Sequence, residues 1–122
     1  MMVCTPDDLK QILTEVTEGL RGVFGSRLEN VILYGSYARG EADEQSDIDI
    51  MVLVNDIPRS ELWRYRELFN PILDEIEEKW EYEILISVIL EDVPTFVYYG
   101  EYLPFFRNVM REGISFVREK VS

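Results

Sequence analysis

An α/β (α+β) fold, a mixed sheet of at least three strands flanked by helices, is what this sequence predicts, and three features carry that expectation. Runs rich in β-branched and large aliphatic residues at 31–34, 47–54 and 81–90 have the length and patterning of strands. Two longer stretches repeat apolar residues every three or four positions, as helices with one packed face do. One of them lies between the second and third strands, where a crossover joining parallel strands has to be. With 122 residues, 47% of them hydrophobic, and no internal repeat, low-complexity tract or long linker, residues 1–122 are expected to form a single domain.

The first helix has clear start and stop signals. Thr5 suits the N-cap, Pro6 the first helical position, and Asp7 and Asp8 the positive end of the helix dipole. Leu9, Ile12, Leu13, Val16, Leu20, Val23 and Phe24 form its apolar face, and Gly25 ends it. Cys4, the lone cysteine, excludes an intrachain disulfide and reads as incidental beside a terminus that can fray.

Val31, Ile32, Leu33 and Tyr34 read as a strand buried on both faces, which Gly35 stops. Lacking a Cβ, Gly35 can take backbone angles closed to other residues and let another group approach closely. Ser36 suits a helix N-cap, and Tyr37 to Arg39 a turn or two of helix whose first N–H groups favour an anion. Arg39 could add a planar donor fork for phosphate oxygens, or be a surface arginine. The acidic loop at 40–46, with Glu41, Asp43 and Glu44, reads as a solvated surface loop.

The second strand places Ile48, Ile50, Val52 and Val54 on one face and Asp47, Asp49 and Met51 on the other. Two carboxylates two residues apart in a strand point the same way, roughly 6.6 Å apart along the backbone. Magnesium takes one or two protein carboxylates and completes its shell with water and substrate phosphates, so the pair is a sensible half-site and a nucleoside triphosphate could supply the rest. Either motif alone is usually bland, a turn or a solvated strand start. Together they place a phosphate-binding turn and a metal pair at the same sheet edge.

Ser60 is expected to cap the next helix, whose apolar face carries Leu62, Leu68, Phe69, Ile72, Leu73, Ile76 and Trp80, with a kink or break near Asn70 caused by Pro71. The third strand, 81–90, puts Ile84, Ile86, Val88 and Leu90 on one face and Glu83, Leu85, Ser87 and Ile89 on the other. A helix is expected from Pro104 to Glu112, stopped by Gly113, with a short apolar segment at 114–117. The aromatics Phe96, Tyr98, Tyr99, Tyr102, Phe105 and Phe106 would pack over the sheet, or alternatively face a partner or stack on a base.

The segment GSYARGEADEQSDID, a Gly-Ser pair followed after ten residues by Asp-x-Asp, resembles the signature of the DNA polymerase β-like nucleotidyltransferase superfamily. The short chain is similar to the minimal MNT-type members often paired with HEPN toxins. The resemblance implies a nucleotidyltransferase fold in which Gly35 and Ser36 hold the triphosphate while Asp47 and Asp49 bind Mg2+. It further implies an antitoxin that transfers AMP from ATP to a tyrosine hydroxyl of a HEPN-type partner. Active members place a third acid on a neighbouring strand, and Glu83 is the best substitute here, with a solvated glutamate at a strand start as the alternative. Two other readings are a non-catalytic binding antitoxin and an aminoglycoside-type, small-molecule nucleotidyltransferase.

Composition narrows these. A net charge of −12 opposes binding to nucleic acid backbones. The absence of histidine removes the usual general base and zinc ligand. No apolar run is long enough to span a membrane and no signal peptide is visible, so the expected location is the cytoplasm.

Overall fold

The computed structural model describes residues 2–117. Helix α1 spans Pro6–Phe24 and begins with reciprocal caps. The Thr5 hydroxyl accepts from the Asp8 N–H and the Asp8 carboxylate from the Thr5 N–H, both at 3.1 Å, which satisfies donors no helical carbonyl can reach. Ile12, Leu13, Val16, Leu20 and Phe24 are buried, as the periodicity predicts. The segment ahead of α1 is tied to the rest of the domain. The Met2 N–H bonds the Glu83 carbonyl at 3.1 Å, the Cys4 N–H bonds the Tyr37 hydroxyl at 3.0 Å, and Cys4 is a buried free thiol.

The sheet has the order β3-β2-β1-β4. Strand β1 (Leu28–Tyr34) runs antiparallel to β2 (Ile48–Val54), and β2 runs parallel to β3 (Ile86–Asp92). Helix α3 (Leu62–Lys79) makes the crossover between the parallel pair. Both sheet faces are covered. Val31, Leu33, Ile48, Ile50, Val52 and Val54 join α1 and α3 in the larger core, whereas Ile32, Met51 and Leu53 pack with Phe96 and Val109 on the other side. That second face is closed by α4 (Val93–Tyr102) and α5 (Pro104–Glu112). The two-residue β4 (Ile114–Ser115) then pairs with β1, Ile114 opposite Leu33.

Several expectations are corrected. Ser60 does not cap α3; it sits inside a 3-10 turn at Arg59–Glu61, and no side chain caps the helix. The helix continues unbroken through Pro71. Pro71 and Glu67 are both exposed, so water can reach the Glu67 carbonyl that lacks the proline's N–H. Leu68 is 60% exposed because it lies one step off the stripe formed by Phe69, Leu73 and Ile76. Helix α4 has no counterpart among the expected elements. Its signal was local: Asp92 caps it by accepting from the Thr95 N–H at 2.7 Å, and proline follows in the first turn.

Candidate active site

Strand directions decide what meets at the sheet edge. In the antiparallel pair Tyr34, the last residue of β1, faces Asp49, and in the parallel pair Asp49 lies beside Ser87. The end of β1 and the starts of β2 and β3 therefore share one edge. Gly35 turns the chain away from that edge at φ 77°, ψ −156°. A Cβ built there would collide with an Asp49 carboxylate oxygen and lie 3.2 Å from its Cγ. Glycine is required twice over, by conformation and by the carboxylate against its Cα.

Ser36 is the first residue of the short helix α2 (Ser36–Arg39), not its cap. The cap position belongs to Gly35, whose carbonyl accepts from the Arg39 N–H at 3.1 Å. Gly35's positive φ starts the helix one residue earlier than the Ser36 side chain predicts. Arg39 pairs through Nε with Glu41 at 3.1 Å on the surface, yet its charge reaches Asp49.

Asp49 lies half-buried within β2, while Asp47 is exposed one residue before the strand begins. Burial, and then the neighbouring Asp47 charge, push the Asp49 carboxyl above its ordinary range, and Arg39 pulls the other way. Two acids at one strand start, beside a cleared space at Gly35, are a donor set that fits a small divalent cation with phosphate oxygens for its other ligands.

Glu83 does not lie on β3 as expected. Glu81 and Tyr82 take φ of 56° each, a conformation that cannot continue a strand, so β3 begins at Ile86 and Glu83 falls in the preceding turn. The strand position beside Asp49 is Ser87. Among the described residues no three His, Cys, Asp or Glu side chains gather as a metal cluster. The acidic loop is a surface loop as expected, and Asp43 shapes it by accepting from the Gln45 N–H at 2.9 Å and the Ser46 hydroxyl at 3.2 Å.

One site residue has no forerunner in the sequence reading. Tyr34 shares the Asp49 face, its ring meets Phe105 edge-on at 5.6 Å, and burial together with the Asp49 charge pushes its hydroxyl up to about 12. Its placement just before Gly35 was the available signal.

Comparison with known proteins agrees with this fold. Residues 9–113 match the model of the nucleotidyltransferase domain family. Two Methanocaldococcus jannaschii proteins named as candidate protein adenylyltransferases are similar. One is 39% identical over 82 residues, which is 67% of this chain and 54% of the relative, so the chain spans about half of that protein. The other is 30% identical over 105 residues, 85% of this chain and 93% of the relative. The crystal structure of a candidate nucleotidyltransferase from Sulfolobus solfataricus shares the fold, with TM-score 0.54 and 21% identity over 93% of this chain and 83% of that one. The family match takes in both the glycine turn and the aspartate pair, and this chain belongs to the nucleotidyltransferase domain family.

Proposed function

We propose that the chain, as one nucleotidyltransferase domain in the cytoplasm, transfers AMP from ATP to a tyrosine hydroxyl of a HEPN-type toxin and so acts as its antitoxin. The observation that carries the reading is the contact of the Asp49 carboxylate with the Gly35 turn, with Asp47 close enough to perturb it. Support for a protein acceptor comes from the protein adenylyltransferase names of the relatives and from the resemblance to MNT-type proteins.

In this reading Asp47 and Asp49 would hold Mg2+, which when bound would supply positive charge against the phosphate oxygens. Gly35 would leave room for the triphosphate, and the Ser36 and Tyr37 N–H groups, which no helical carbonyl reaches, would be available to its oxygens. Arg39 offsets charge on the departing group. The acceptor oxygen bonds to the α-phosphorus, the bond to the β-phosphate bridge breaks, and pyrophosphate leaves. The hydroxyl proton passes to solvent, because the β3 position beside Asp49 is Ser87 and not an acid.

A second reading, neutralisation by binding without chemistry, is favoured by that same Ser87. Incubating the protein with ATP, Mg2+ and the product of the adjacent gene, then weighing that product, separates the two. An added AMP that disappears in Asp47→Asn supports transfer. Neutralisation of an unmodified partner supports contact alone.

A further inference from the structure

We infer that the exposed face of the α4–α5 hairpin docks the protein that carries the acceptor hydroxyl, and that this protein is apolar around the hydroxyl and basic at the border; the inference rests on the transferase reading above.

The hairpin covers the sheet with little of its own surface. In α5 only Val109 is buried, and in α4 only Phe96 and Gly100. Outward stand Tyr98 and Tyr102, 60% and 62% exposed, with Leu103, Phe105 and Met110. Scattered exposed apolar residues are ordinary, but a contiguous group marks an interaction surface. Here Tyr98 and Tyr102 already touch, their rings 5.0 Å apart.

Two observations identify the occupant. The patch is continuous with the candidate site: Phe105 packs on Tyr34, and Tyr34 faces Asp49 across β1 and β2. A protein seated on the hairpin reaches the carboxylates without crossing solvent. Charge gives the rest. Over residues 93–113 Glu101 and Glu112 balance Arg107 and Arg111, so the net charge of −12 lies outside the hairpin. Part of it, exposed Glu41, Asp43 and Glu44, is on the loop leading into Asp47, at the site's other rim. A neutral apolar face on one side and an acidic rim on the other match an apolar surface with basic neighbours and repel a nucleic acid.

The test uses the adjacent-gene product as acceptor and measures AMP transfer against its concentration, with MgATP affinity followed by titration calorimetry. The variants are Tyr102→Glu combined with Leu103→Glu, and Glu44→Lys, each checked for an unchanged thermal melt. The proposal expects the acceptor concentration for half-maximal rate to rise at least tenfold in the first and severalfold in the second. MgATP affinity and the rate at saturating acceptor should stay as in wild type. An unchanged acceptor dependence in both variants overturns it. So does sedimentation showing a wild-type dimer that the double variant breaks into monomers, since a second copy would then own the face. Wild-type protein that binds MgATP yet modifies no acceptor removes the transferase reading itself, and the docking proposal with it.

Discussion

The Asp49 carboxylate lies against the bare Cα of Gly35, so the turn and the aspartate pair are one structural unit. Residues at the two ends of the motif meet because β1 and β2 are antiparallel with Tyr34 opposite Asp49. Every substitution at one end should therefore be felt at the other.

Gly35→Ala puts a methyl group into the carboxylate and a side chain at φ 77°. Left-handed strain of this kind costs about 1–3 kcal/mol. Urea unfolding should show a loss in that range, and transfer should fall on the order of 100-fold, since a displaced carboxylate misaligns the reacting groups. A variant of normal stability and activity would show that the contact is incidental.

Burial and the Asp47 charge raise the Asp49 carboxyl above its ordinary value, with Arg39 opposing. Such a group holds its proton more tightly folded than unfolded. Its stabilising effect is complete below the unfolded value and is lost as pH rises through the folded one. Asp49→Asn should accordingly match wild type in acid and become the more stable of the two towards neutral pH. Adding Mg2+ near neutral pH should raise the wild-type melting temperature and leave the variant's unchanged.

Glu83→Gln should leave transfer within about twofold of wild type, because Glu83 lies in the turn before β3 and the strand position beside Asp49 is held by Ser87. Ser87→Asp, by contrast, adds a carboxylate at that position and should tighten Mg2+ binding about tenfold or more, read by titration calorimetry. Slow transfer in Glu83→Gln with an unchanged fold would restore Glu83 to the site.

Pro71→Ala should stabilise the protein by roughly 1–3 kcal/mol in urea unfolding, since it restores an N–H inside an unbroken, exposed stretch of α3. Destabilisation would mean that the proline has a packing role.

Local patterns were legible in the sequence and register was not. The start of α1, the two-sided burial of β1, and the shared sheet edge of the Gly35 turn and the aspartates all follow from residues close in sequence or from strand alternation. Glu83 was misplaced because the start of β3 is set by left-handed Glu81 and Tyr82, conformations that neither residue type announces. Helix α4 was missed because it buries only Phe96 and Gly100, too few for a visible stripe. The packing of Phe105 on Tyr34 depends on where the α4–α5 hairpin folds over the sheet, which no periodicity encodes.

The central claim is that Gly35, Asp47 and Asp49 form a single magnesium-dependent nucleotide site. Calorimetric titration with a non-hydrolysable ATP analogue, with and without Mg2+, tests it most directly. The account predicts saturable binding that requires Mg2+ and is lost in Asp47→Asn, in Asp49→Asn and in Gly35→Ala. Binding of equal strength in the absence of Mg2+, or in the doubly substituted Asp47→Asn, Asp49→Asn protein, would contradict it.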